Sequence, residues 1–279
     1  MQIGDYTDIR ITAMEIQNLG LTPARAARLI PDWENIITQY TTCGLTKDDD
    51  KLVALFGIVD HVERLTGDRC LLGLWRSQMP ACLLWIIDWK FPRPDGHSTV
   101  PGLGSGLQRP ERWRAPSWSW ASHNLAVNFL FYKDDAVRYT EVVRTVVVRR
   151  QNGSALCEEL VLQGPVVEVD VGLVQGEIAS RWSEGVVGGL PVECHVRTDG
   201  TYDWNGTAKA LLVMQDWACF FLLIVPVDPA EAEPTAFHRA GILLVLAEMD
   251  DEKQPGLFST TREGGKARWS LYSKLIQLL

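Results

Sequence analysis

Of the chain's 279 residues, 46% are hydrophobic and 22% charged, which is enough apolar mass for a large core and excludes a chain that is mostly disordered. The formal net charge of -8 repels phosphate, and no segment is basic enough to offset it, so nucleic acid is excluded as a partner. Eleven tryptophans are the unusual count.

Met1 to Asp8 is polar and acidic where a secretory leader needs a positive start and an apolar stretch. The longest apolar run, Cys219 to Val227, is about half the ~20 residues of a membrane-spanning helix. A cytoplasmic protein with no membrane span is expected. The six cysteines, Cys43, Cys70, Cys82, Cys157, Cys194 and Cys219, are widely spaced without a Cys-x-x-Cys pair, as reduced core thiols would be. The sequons at Asn152 and Asn205 read as turns, because Asn-Gly tolerates the positive φ angles of tight hairpins.

In chain order, Thr22-Pro23 is a helix start signal and Pro31-Asp32 repeats it before Trp33, Ile36, Ile37 and Tyr40, so two short helices are predicted. After the acidic run Asp48 to Asp50, Leu52, Leu55, Phe56, Val59 and Val62 share a face at helical spacing, which predicts an amphipathic helix over 51–65. Leu71, Leu74 and Trp75, then Leu83 to Trp89, read as two more helical pieces separated or kinked at Pro80. Residues 91–117 carry so many prolines and glycines that a long loop is predicted, a candidate lid over a site.

From there the pattern is that of strands: 126–132, 142–150, 156–163, 166–171, 192–197, 208–214, 219–225 and 241–246, rich in Val, Leu, Ile and Phe. Gln151-Asn152-Gly153 and Asp199-Gly200 are candidate hairpin tips. Trp269 to Leu279 fits helical spacing and is left open between helix and strand. The fold class expected is α+β: a helical part, 1–90, a Pro/Gly-rich loop, 91–117, and a β-rich part, 118–279, in one compact unit. The helical part packs on a largely antiparallel β-barrel or sandwich.

Catalytic signatures are scarce. There is no phosphate-binding glycine loop, and Gly102-x-Gly104-x-Gly106 lacks the spacing and strand-to-helix context of a dinucleotide site. Leu103 replaces the first glycine of a nucleophile elbow around Ser105. The five histidines have no paired metal spacing, and Cys194-His195 are strand neighbours that point to opposite faces. Asp60 and Glu63 beside His61 read most simply as a solvated acidic face. Arg109, Arg112 and Arg114 are either solvated loop charges or a hold on an anionic group. No metal and no cofactor are expected.

Several segments together carry a resemblance: 33–40 with Leu45-Thr46, 50–58, Gly73-Leu74-Trp75, Leu83-Leu84-Trp85 and above all Ala115-Pro116-Ser117-Trp118-Ser119-Trp120-Ala121-Ser122. Segments 160–164, 220–225 and 237–241 fit more loosely. From about residue 33 onward the chain resembles the region after the HET domain in fungal heterokaryon-incompatibility proteins, without that domain. The resemblance implies a fungal, intracellular chain with a tail-type fold and favours a strand at the C-terminus; it does not imply cell-death signalling.

Two functions of different class are expected from these features. The first is a cofactor-independent cyclase or pericyclase of Diels–Alderase type, acting on an apolar polyene or terpenoid intermediate of fungal secondary metabolism; the norbornene-forming Diels–Alderase of sordarin-type pathways is of this class. Folding such a substrate into a reactive conformer can supply up to ~7–11 kcal/mol, and one donor aimed at an activating carbonyl adds ~3 kcal/mol. Trp118, Trp120 and His123 are its candidate catalytic residues, and Arg112, Trp113, Phe129 and Tyr132 its candidate substrate-binding residues, beneath the 92–117 loop. The bland role of Trp118 and Trp120, two residues apart on one strand face, is to fill the core. The second function is a non-catalytic recognition or regulatory module related to heterokaryon incompatibility, which would have a protein partner in place of a small apolar molecule.

Overall fold

The computed structural model describes residues 22–43, 50–88, 113–149, 155–169, 183–187, 190–199, 208–231, 233–246 and 273–279. Among these residues the fold is α+β: two helices and several single 3-10 turns lie against a large, mostly antiparallel sheet.

Helix α1 (Pro23–Thr42) is one element where two were predicted, because the buried stripe Ala26, Trp33, Ile37 and Thr41 continues through Pro31. A proline removes one backbone donor from a helix interior; here the packing of a continuous stripe outweighs that loss. Helix α2 (Phe56–Thr66) starts later than predicted, behind a 3-10 turn at Val53–Leu55, and ends on Gly67 in the left-handed conformation. Leu55 and Val62 are buried, whereas Phe56 faces solvent.

The segments predicted as further helix are a hairpin, β1 (Cys70–Leu71) with β2 (Leu74–Trp75), two 3-10 turns, and β3 (Trp85–Ile87), which pairs with β4 (Val127–Phe129). Leu72 and Gly73 take φ of 48° and 91° at the hairpin tip. Helical spacing over so few residues does not separate a helix from a tight turn between short strands.

The remaining strands are β5 (Val137–Arg138), β6 (Glu141–Arg149), β7 (Ala155–Val169), β8 (Ser183–Val187), β9 (Leu190–Thr198), β10 (Ala208–Gln215), β11 (Ala218–Pro226), β12 (Ala236–Leu246) and β13 (Ser273–Leu278). The two strands predicted over 156–171 are the single strand β7, unbroken by Gly164-Pro165. Its 15 residues pair with β6 and β13 toward one end and with β10 toward the other. The sheet curls back on itself but is not the closed barrel that was one of the two expectations, since β7 meets β8 through one registered pair, Val169 opposite Val187. Nor is Asp199 a hairpin tip joining β9 to β10, because β9 pairs with β8 and β12. Of the C-terminal segment left open between helix and strand, Ser273–Leu278 is a strand, and residues 269–272 lie outside the described residues.

Both faces of the central strands are buried, as in few antiparallel sheets. On β11, Phe220, Leu222 and Ile224 face the larger core shared with the N-terminal half, while Cys219, Phe221 and Leu223 face a second core inside the curl. The larger core also holds Trp33, Trp75, Trp85, Trp118 and Trp120, each at most 1% exposed, so the two halves share one interior. Among the described residues no helix is long and apolar enough to cross a membrane.

Candidate functional site

The segment 115–122, which carries the resemblance, is the staple between the halves. Ser117 donates its N–H to the Leu279 carbonyl at 3.0 Å, and its hydroxyl also donates there while accepting from the Arg239 N–H at 2.9 Å. The Trp118 carbonyl accepts from Trp85 Nε1 at 3.0 Å. Ser119 caps the 3-10 turn Trp120–Ser122 by accepting from the Ala121 N–H at 3.1 Å, and donates to the Leu72 carbonyl at 2.7 Å. Trp120 Nε1 and Trp33 Nε1 both donate to the Gly73 carbonyl, at 3.0 and 2.8 Å. A Cβ on Gly73 would lie 2.5 Å from the Trp120 ring, so only glycine admits that approach.

Charge inside this junction is compensated. Arg239, fully buried on β12, pairs with Asp199, donates to the Leu83 and Trp85 carbonyls, and lies 3.5 Å over the Trp85 ring. Lys51 Nζ donates to the His123 carbonyl at 2.6 Å and sits 5.2 Å from the Trp120 ring. Arg114 donates to the carbonyls of Ala121 and His123 at 2.6 and 2.7 Å. A buried cation requires such partners.

The residues singled out from sequence divide accordingly. Trp118, Trp120 and His123 are 0%, 0% and 2% exposed. Trp118, His123 and Phe129 meet around Trp85: through the hydrogen bond above, through a ring contact of 5.7 Å, and through strand register. Trp120 instead contacts Tyr40 at 6.2 Å. Tyr132 is half-buried and donates toward Glu34 Oε1 at 3.5 Å, Trp113 is 53% exposed, and Arg112 and most of the 91–117 loop lie outside the described residues, as does Arg109. Burial pushes the Glu34 carboxyl up to about 7, against a smaller lowering by Tyr132.

An open cleft of about 560 Å³ lies elsewhere on the same junction, within the ~300–1,000 Å³ of small-molecule sites. Arg76, Met79 and Pro80 supply one wall, and residues 138–142 with Gln163 the other. None of the residues singled out above lines it. Its base is fixed from below: Tyr139 N–H donates to the Val213 carbonyl at 3.0 Å and its hydroxyl to Gln215 Oε1 at 2.9 Å. Thr140 Oγ1 donates to the Leu212 carbonyl at 2.5 Å. A side chain at Gly164 would strike that Thr140 hydroxyl, with its Cβ 2.0 Å away.

Sequence reasoning missed Arg76, Arg138 and Gln163 because walls contributed by separate elements leave no local pattern. Arg239 had a readable signal, a lone cation inside the apolar run 236–246.

Among the described residues no group of three or more His, Cys, Asp or Glu is placed to hold a metal ion. Cys194 is buried in the inner core, while its neighbour His195 is only partly covered. Cys43, Cys70, Cys82, Cys194 and Cys219 are free thiols. No family model, no curated protein and no solved structure matches the chain.

Proposed function

We propose that the chain is a recognition module that binds a small molecule in the cleft between its halves without transforming it, a regulatory role in keeping with the heterokaryon-incompatibility tail it resembles. The observation that carries this reading is where the junction has space: its tryptophans are packed into the core, while its open volume is bordered by side chains of both halves. A ligand there touches elements from both halves at once, so occupancy alters how firmly they are held together. Screening a fragment library by NMR tests this: amide shifts should cluster at 76–80 and 138–142 and disappear in Gln163→Trp, which fills the cleft. Shifts centred on 118–123 would contradict it.

A second reading, the cofactor-independent cyclase of an apolar polyene, is favoured by a separate observation. Trp118 Nε1 and Trp75 Nε1 are buried and have no hydrogen-bond partner among the described residues, and leaving a buried donor unsatisfied costs about 1–3 kcal/mol. An unused indole donor is the kind of group that a substrate carbonyl would engage during cyclisation. Incubating the purified chain with polyene substrates and comparing product stereochemistry with the uncatalysed reaction tests that reading. Turnover that is lost in Trp118→Phe, which keeps a ring and removes the donor, would replace the recognition reading with this one.

A further inference from the structure

We infer that the cleft takes a small organic anion with an apolar body, its anionic group held between Arg76 of the N-terminal half and Arg138 of β5; this rests on the recognition reading above. The first argument is the availability of these two guanidinium groups. Lys51, Arg114 and Arg239, the cations built into the junction, are engaged by backbone carbonyls and Asp199. Arg76 and Arg138 both line the open volume, are exposed, and make no side-chain hydrogen bond or ion pair within the described residues. Guanidinium donors form a planar fork that matches a carboxylate or phosphate edge, and a charge-assisted pair is stronger than a neutral one.

Local charge gives the second argument. The lining carries two arginines against one carboxylate, Glu141, so the cleft is a positive spot on a chain whose formal net charge is -8. Such a spot draws anions from solution and disfavours cations. The third argument is the apolar surface beside the charges. Met79, Pro80 and Val142 contribute to the lining, and Leu275, outside the lining but in register with Gln163 on the adjacent strand, is 59% exposed. A bare inorganic ion would leave that surface wet, and a neutral apolar molecule would leave two guanidinium groups without partners.

The test uses isothermal titration of the full chain with octanoate, inorganic phosphate and 1-octanol, and NMR of the complex to locate the site. Octanoate should bind at least about tenfold more tightly than either of the others, with shifts at 76–80 and 138–142. Arg76→Gln and Arg138→Gln should each weaken octanoate about tenfold or more, the range expected for one charge-assisted contact. Glu141→Gln should tighten it several-fold, and both arginine variants should melt like the parent. Octanol binding as tightly as octanoate, or an Arg76→Gln/Arg138→Gln double variant that still binds octanoate in the cleft, would overturn the anion clamp while leaving the cleft a recognition site. Octanoate binding mapped away from the cleft, or no binding by any probe, would overturn the clamp. A fragment screen that also leaves 76–80 and 138–142 unshifted would remove the recognition reading itself.

Discussion

Arg239 and the pair Arg76 and Arg138 lie on the same seam between the helical and sheet halves, yet they live in opposite environments. Arg239 is fully buried, ion-paired with Asp199, bonded to the Leu83 and Trp85 carbonyls and stacked on an indole. Arg76 and Arg138 reach into open space with no such partner within the described residues. A guanidinium whose donors are all taken holds the fold, and one whose donors are left to water is available to a ligand. Trp118 and Trp120 lie with Arg239 on the filled side of the seam.

The largest effect should come from breaking the filled side. Arg239→Met takes the ion-pair partner from the buried Asp199 carboxylate, and removing one partner of such a pair costs about 3–5 kcal/mol, so urea denaturation should show a midpoint far below the parent's. Combining it with Asp199→Leu should recover much of that loss, because an apolar pair of similar volume is often neutral or better. Trp118→Ala should cost about 3–5 kcal/mol as a cavity in the core, read as a lowered denaturation midpoint.

Glu34 gives an intermediate effect with a sign fixed by its environment. Its folded-state value of about 7 lies above the ordinary 4.5 because burial disfavours the charged form. The protonated state therefore belongs to the folded chain: stability is full below pH ~4.5, declines as pH rises toward 7, and stays reduced above it. The difference is on the order of 3 kcal/mol. Glu34→Gln should flatten that decline in melting curves recorded from pH 4 to 8, and an unchanged pH profile would show that this carboxylate is solvated. Ser119→Ala removes the cap of a 3-10 turn and should cost about 1 kcal/mol. Smallest of all, Arg76→Gln and Arg138→Gln should stay within about 0.5 kcal/mol of the parent, as for surface positions away from packed features.

Much of the sheet was legible in the sequence because β10, β11 and β12 are long Val, Leu, Ile and Phe runs bounded by turn residues, and the antiparallel class followed from them. What the pattern could not carry was anything decided by distant neighbours. Pro31 and Gly164-Pro165 look like breaks, and both are overridden by packing along an element that continues on either side. Leu71 to Trp75 and Leu83 to Trp89 match helical spacing, but the left-handed backbone at Leu72 and Gly73 and the pairing of Trp85 with Phe129 make the described part of them, up to Asp88, strand and turn. The alternation of Trp118 and Trp120 was read both as pocket and as core. Their nearest partners, Gly73 and Trp85, come from the other half of the chain, so no local spacing distinguishes the two roles.

The division of the seam into a filled side and an open side is tested most directly by measuring stability and octanoate affinity together in two variants. Trp118→Phe should lower the denaturation midpoint and leave the affinity unchanged, while the Arg76→Gln/Arg138→Gln double variant should leave the midpoint unchanged and abolish binding. The reverse pattern, with octanoate lost in Trp118→Phe and retained in the arginine variant, would contradict the account.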